Sequence, residues 1–416
     1  MSTKKIKIKK SHFWSLSIFF FIAIYEIVFF FRPAWYTSII DIYKLVFPFT
    51  LFLVFVKGQN GIINIKSNPL KFYIFFYFFL LLWMIFISPW TENLFENIQD
   101  WLKHIPRFFL IVGLYFSLSN SNIKYISNKL IILFGLFTFF QYIFLNLFGP
   151  INISKFYGIP FAGPFKIFGK IVTYYLPTGE LFYRLCGFFN EPSNASAYLF
   201  CSFFISKQIK GNQKFWSYSG FTCLIGGFFC LSNAGYIAFS FAFLVGILIN
   251  SQKFILLTFF KIILGSSLMI FGIFGRYYLQ ENILDVKVLN VMSGYRNEKD
   301  FSAGRLDKID YTFKTVLNNP FGEGFIRIDK TKTPPPAGAP FLWLLMGGLP
   351  AIFFLFLRES AWAFIVLKRP SLVIYEAQAL IVILIQQSIY GQWNNGLYYF
   401  CVASLFCKYD NFNIRK

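Results

Sequence analysis

Between Lys71 and Glu92 the chain runs for twenty residues without a charge, reading FYIFFYFFLLLWMIFISPWT. A helix needs about that many residues to cross the hydrocarbon core of a bilayer. Similar runs recur along the chain, apolar all round rather than on one face, which suits lipid and not the surface of a soluble core. Twelve segments are expected to span, at about 14–31, 38–56, 70–89, 105–119, 129–149, 191–206, 214–232, 234–250, 253–275, 339–367, 372–390 and 393–408. The predicted fold class is all-α: a polytopic integral membrane protein with about 12 transmembrane helices and one membrane domain over 1–416. Tandem repeats, low-complexity linkers and a separate soluble domain are not expected. Arg358 and Glu359 interrupt the tenth segment, and two short helices there would change the topology of the C-terminus.

A formal net charge of +21 suggests nucleic acid until its distribution is read. With the N-terminus inside, MSTKKIKIKK, KGQNGIINIKSNPLK, NIKYISNK, KQIKGNQK, SQK, LKRP and CKYDNFNIRK share one side. They carry nineteen lysines or arginines and one acid, Asp410. The opposite side is nearly balanced. This is the positive-inside pattern, and it puts both termini in the cytoplasm with no nucleic-acid partner. The first apolar run, from Trp14, is too long for a signal-peptide core and lacks a small-residue cleavage site, so no cleaved leader is expected. Five of six cysteines (Cys201, Cys223, Cys230, Cys401, Cys407) fall inside spans, with Cys186 outside. Their spacing suggests buried small hydrophobes and neither a metal site nor a disulfide framework.

Two large extracytoplasmic loops break the alternation of span and short turn, at about 149–190 and 276–338. Loops of this length are uncommon without a purpose. In the second, Leu306, Ile309, Phe313, Val316 and Leu317 recur at helical spacing while Arg305, Lys308 and Thr312 occupy another face. The pattern predicts an amphipathic helix on the membrane surface, ended by the turn formers of NNPFGEGF.

The densest polar motif is RLCGFFNEPSNASAY, Arg184 to Tyr198, where a polar segment re-enters an apolar one. Charge at such an edge is costly and tends to be kept for function. The same residues also have a plain structural use. Pro-Ser-Asn starts helices well, Glu191 suits a helix N-terminus, and an interfacial arginine reaches for lipid phosphate. Arg305 opens the second outer helix on the same side. Two guanidiniums and one carboxylate on one outward cleft would suit a lipid pyrophosphate, because arginine grips phosphate oxygens bidentately. Glu191 would accept a proton from a sugar hydroxyl.

These residues carry a resemblance. RLCGFFNEPSNASAYL resembles the Arg-x-x-Gly-φ-φ-x-Glu-Pro-Ser signature (φ apolar) of the O-antigen polymerase/ligase superfamily, which includes the Wzy-type oligosaccharide repeat-unit polymerases. CLSNAGYIAFSFAFLVG (Cys230 to Gly246) is similar to that family's next helix. GRLDKIDYTFKTVLNNPFGEGF (Gly304 to Phe325) resembles its third block, with a Pro-x-Gly-x-Gly turn, and FLWLLMGGLPAIFFLFL resembles the Gly-rich helix that follows. The resemblance covers about residues 180–360, with the blocks in order. It implies a glycosyltransferase that polymerises undecaprenyl diphosphate-linked repeat units into surface polysaccharide (O-antigen, capsule or exopolysaccharide) at the outer face of the cytoplasmic (inner) membrane. No cofactor, metal or nucleotide sugar is implied. Arg184 and Arg305 would neutralise the pyrophosphate, Glu191 would position or deprotonate the acceptor, and Ser193, Asn194 and Lys308 join them as substrate-binding candidates. Lipid-linked oligosaccharide serves as donor and acceptor, with membrane lipids, a chain-length regulator and a flippase as further partners.

Two departures bear on this. Ligases of the superfamily carry a His at the mouth of the span after the second large loop, where this chain reads PPPAGAPFLW; only His12 and His104 exist. Arg-x10-Gly motifs are absent too, since Ala195 and Val316 stand eleven residues beyond Arg184 and Arg305. A ligase and a lipid-linked oligosaccharide flippase or transporter remain the alternatives. Among other charges, Lys261 lies mid-span and is expected to have a partner or a wet cavity. Snorkelling or pairing accounts for Glu26, Lys44 and Glu376, and His104 is expected at the interface. TENLFENIQDW could rim an acceptor groove and Trp90, Trp101 or Tyr295 could stack on sugar, but solvation and interfacial anchoring are the default readings.

Overall fold

The computed structural model describes residues 10–26, 34–58, 67–87, 98, 102, 104–148, 172–175, 181–184, 189, 192–209, 213–230, 232–250, 304–324, 338–390 and 396–414. The helices are α1 (Lys10–Glu26), α2 (Ala34–Lys57), α3 (Asn68–Ile87), α4 (Ile105–Leu118), α5 (Ser121–Phe148), α6 (Pro192–Ser206), α7 (Gln213–Phe229), α8 (Asn233–Asn250), α9 (Gly304–Asn318), α10 (Ala339–Lys368), α11 (Pro370–Tyr390) and α12 (Gly396–Ile414). One antiparallel hairpin, β1 (Val172–Tyr175) with β2 (Leu181–Arg184), departs from the all-helical expectation. It lies in the first large loop, where Val-Thr-Tyr-Tyr and Leu-Phe-Tyr-Arg are rich in strand formers. The chain is thus a helical membrane protein. Among the described residues four helices are long and apolar enough to cross a bilayer: Asn68–Ile87, Ser121–Ile143, Pro340–Lys368 and Pro370–Ser388. The expected ninth segment, 253–275, lies outside the described residues.

The last helix, α12, is the axis. Nearly every residue from Leu397 to Cys407 is buried, and the helix packs against α1, α4, α10 and α11. Around it a large apolar cluster joins Leu51, Leu110, Ile131, Leu199, Phe204, Leu380 and Phe406. A second, smaller cluster seals α3 against α10 through Leu80, Met84, Ile87, Trp343, Met346 and Leu355.

Polar ties gather the basic segments at one end of the bundle. Glu376, 1% exposed, lies 2.9 Å from Lys408 and 3.5 Å from Lys124. Tyr115 donates to Asp410 at 2.6 Å, and Ser67 also bonds that carboxylate. The turns before α3, between α4 and α5 and between α10 and α11 therefore share an end with the C-terminus, as the charge pattern requires. Pairing, expected for Glu376, is what the structure contains.

The interruption of the tenth segment is not at Arg358 and Glu359. It is at Gly348, whose φ of 66° and ψ of −160° break α10 into a short first piece and a continuous helix from Leu349. From there to Lys368 the helix is about 30 Å long, the thickness of a hydrocarbon core. Pro350 opens this second piece, where its missing N–H costs nothing.

Candidate functional site

Two close-packed junctions organise the outer motifs. The first starts at the hairpin, where Arg184 pairs with Val172 at the open end. Phe189 is buried between Phe134 and Tyr198, with ring centroids 6.1 and 5.1 Å away, and α6 begins three residues on. Ser193 is buried, and its carbonyl accepts the Ser196 hydroxyl at 2.9 Å. Asn194 Oδ1 accepts from Gln386 Nε2 of α11 at 2.6 Å. At 15 residues, α6 is about 22 Å long, short of the core thickness. The start of α8 packs on it. A Cβ at Gly235 would lie 2.7 Å from Ser196 Cβ and closer still to its hydroxyl. Ser232 caps this helix start through the Gly235 amide at 3.3 Å.

The second junction joins the NNPFGEG turn to the break in α10. Amides of Glu323 and Gly324 donate to the carbonyls of Leu345 and Met346 at 3.0 and 2.7 Å, and the Leu349 amide donates to Pro320 at 2.9 Å. The Gly347 carbonyl accepts Trp83 Nε1 at 2.7 Å. Helix ends leave such groups orphaned, and lipid offers them no partner; here the turn caps both sides of the break. Asn319 braces the turn by donating its amide to Gly322 at 2.9 Å. Gly322 and Gly348 both have positive φ, 93° and 66°.

The turn also anchors α9. Thr312, from the polar group, and Val316, from the apolar one, are buried while Phe313 and Leu317 are exposed, so the buried face cuts across the division expected from the sequence. Positions 308 and 305 are one and two helical turns back from 312 along the helix.

The candidate residues are thus distributed as follows. Arg184 ends β2, Ser193 and Asn194 lie in the first turn of α6, and Arg305 and Lys308 lie in the first turns of α9. Glu191 lies outside the described residues, as do the side chains of Arg184, Arg305 and Lys308. Ser193 and Asn194 are brought together with Ser196, Gly235 and Gln386.

Sequence reasoning missed a polar cluster in the bundle centre. Arg358, 1% exposed, sits midway along the continuous part of α10. Its Nε and Nη2 donate to Glu359 Oε1 at 2.8 and 2.6 Å. Tyr398 donates to the same oxygen at 2.7 Å, Trp362 donates to Oε2 at 2.7 Å, and Tyr73 bonds Tyr398 at 2.9 Å. The guanidinium lies over the rings of Tyr73 and Tyr77. Both carboxylate oxygens are occupied and the pair is neutral, so the cluster ties α3, α10 and α12 together and offers no free base. The adjacent Arg-Glu within an apolar run, and Tyr73 and Tyr77 one turn apart, were the available signals.

His104, expected at the interface, is 8% exposed at the start of α4, with its ring 5.3 Å from Trp343 and its Nδ1 2.8 Å from Arg107 Nη1. Among the described residues no group of three His, Cys, Asp or Glu side chains is placed to hold a metal. No protein-family model matches the chain, and no curated protein matches it.

Proposed function

We propose that the chain is a twelve-span glycosyltransferase of the cytoplasmic membrane that polymerises lipid diphosphate-linked oligosaccharide repeat units on the outer face. The observation that supports this reading is the pairwise joining of the four motif blocks in which the family resemblance lies. Ser196 against Gly235 joins the first block to the second, and Gly322 against Gly348 joins the third to the fourth. Motifs far apart in sequence meet where no side chain fits, on the side opposite the basic end.

In the proposed reaction the sugar–phosphate C–O bond of the donor breaks and a glycosidic bond forms to an acceptor hydroxyl. Arg184 and Arg305, with Lys308, neutralise the departing lipid diphosphate. Glu191 takes the hydroxyl proton, while Ser193 and Asn194 hold the acceptor at the start of α6. The termini lie in the cytoplasm, and a chain-length regulator and a flippase are the expected partners.

A transporter is the second reading, favoured by the buried charge pair Arg358–Glu359 midway along the continuous part of α10. One assay separates them. Purified protein in proteoliposomes receives lipid diphosphate-linked repeat units with no nucleotide sugar, and products are sized on a gel. The polymerase gives a ladder, reduced on the order of 100-fold or more in Arg184→Ala or Arg305→Ala. Movement of lipid-linked glycan between leaflets with no ladder establishes the transporter.

A further inference from the structure

The seam between α3 and α10 is sealed at one end and open at the other. In its outer half Leu80, Met84, Ile87, Trp343 and Met346 interlock. Towards the basic end, α10 presents Ser360, Ala361 and Ala363, too small to fill the space. What remains is a groove of about 520 Å³, lined on the other wall by Asn68, Pro69 and Phe72. The Ser360 hydroxyl is spent on the Leu357 carbonyl at 2.6 Å, so the groove offers almost purely hydrocarbon.

Its mouth is cationic. Lys368 follows the groove residue Leu367 and holds its ammonium 5.4 Å from the ring centroid of Phe364, also in the lining. Lys71 is exposed one helical turn beyond Asn68. Among the described residues no carboxylate pairs with either lysine. An apolar slot under two exposed cations is complementary to an amphiphile with a hydrocarbon chain and an anionic head.

We propose that this groove binds one anionic phospholipid, an acyl chain lying along Ala363 and Phe72 and its phosphate held by Lys71 and Lys368. The site is distinct from the outer motif junctions and does not depend on the proposed transferase activity. The shape argues against a partner helix. The small residues extend over less than one turn, and the rims Phe364 and Leu367 are 54% and 80% exposed. A helix about 10 Å across needs a longer flat stripe of small residues; a single chain fits between the rims. Ser360 and Ala361 directly follow the Arg358–Glu359 pair, so the bound chain covers the lipid-facing side of that tie between α3 and α10.

The test is native mass spectrometry and thermal unfolding of the full chain, delipidated and then titrated with phosphatidylglycerol or phosphatidylcholine in mixed micelles. Wild type is expected to retain one phosphatidylglycerol, with a preference over phosphatidylcholine on the order of 10- to 30-fold from two lysines near a surface. That preference falls as salt rises. Lys71→Gln/Lys368→Gln should bring the ratio to about one while the protein stays folded. Ala363→Phe, which fills the slot, should abolish retention of both lipids. Equal retention of the two lipids by wild type overturns the proposal, as does undiminished retention in Ala363→Phe. A lipid-free dimer that Ala363→Phe disperses also overturns it, and makes a second copy the occupant.

Discussion

Gly322 and Gly348 occupy each other's side-chain space. A Cβ on Gly322 would lie 2.5 Å from the Gly348 amide nitrogen, and a Cβ on Gly348 would lie 2.7 Å from the Gly322 amide nitrogen. Both atoms are backbone and cannot move aside as a flexible side chain would. Both residues also hold positive φ, which costs an L-residue about 1–2 kcal/mol before any collision. Gly322→Ala and Gly348→Ala should each therefore destabilise the protein by more than ~2 kcal/mol, read as a fall in thermal midpoint in detergent. The double variant should cost clearly less than the two losses added, because either change opens the same clamp. Gly226→Ala is the control: its Cβ would come no nearer than 3.0 Å, to the Phe139 ring, and no backbone atom crowds it, so its effect should be smaller. A silent Gly322→Ala would mean that the turn does not grip the helix break.

The contact between Ser196 and Gly235 predicts a compensating pair. Alanine at 235 drives its methyl into the Ser196 side chain, while the next neighbour, Phe200, stays at an ordinary 3.5 Å. Gly235→Ala should cost about 1–3 kcal/mol, the usual range for overpacking. Adding Ser196→Gly removes both clashing atoms and should recover at least half of the loss, although Ser196→Gly alone is mildly destabilising inside a helix. Thermal midpoints of the four proteins measure this directly. Strict additivity would show that the two residues are not in contact.

How much of this was legible depends on range. Uncharged stretches such as Phe72–Ile87 declare a spanning helix locally, and nineteen basic residues set against Asp410 sort the connecting segments to one end. The clamp was half legible: NNPFGEGF reads as a turn and MGGLP as a weak point in a helix. That each caps the other depends on three-dimensional approach, which spacing does not encode. Arg358 and Glu359 misled because a charge pair inside an apolar run looks like a boundary. Their neutralisation rests on Tyr398 and Tyr73, from helices far apart in sequence. The hairpin at 172–184 was missed because four-residue strands carry too short a pattern beside long apolar runs. The burial of Thr312 was not legible because helical periodicity sorts residues into faces without saying which face meets the protein.

The closed Arg358–Glu359 cluster predicts asymmetric mutational costs. The two side chains are 2% and 15% exposed. Losing one partner leaves a buried charge uncompensated, at about 3–5 kcal/mol. Arg358→Met and Glu359→Gln should each lower the yield of folded protein and the thermal midpoint sharply. Arg358→Met/Glu359→Gln removes both charges and should be more stable than either single variant. The cycle also bears on the transporter reading: a tie between helices predicts that the double variant keeps whatever activity wild type has, whereas a transport site predicts its loss.

Asp410 offers a pH signature at the basic end. It lies two residues past the expected end of the last span, and burial raises its pKa above the usual value, opposed by its hydrogen bonds from Tyr115 and Ser67. A carboxyl whose folded pKa exceeds its unfolded one binds its proton more tightly in the folded state. Its contribution is thus fully present below the unfolded pKa and is lost as pH rises through the folded one. Between those two values wild type should lose stability relative to Asp410→Asn, which has no proton to release and keeps an amide oxygen for the Tyr115 hydroxyl. Thermal midpoints of the two proteins across about pH 4–8 should diverge upward in favour of Asp410→Asn and then run parallel. A wild type that gains on the variant as pH rises would show instead that the hydrogen bonds from Tyr115 and Ser67 outweigh burial and hold the carboxylate in its charged form.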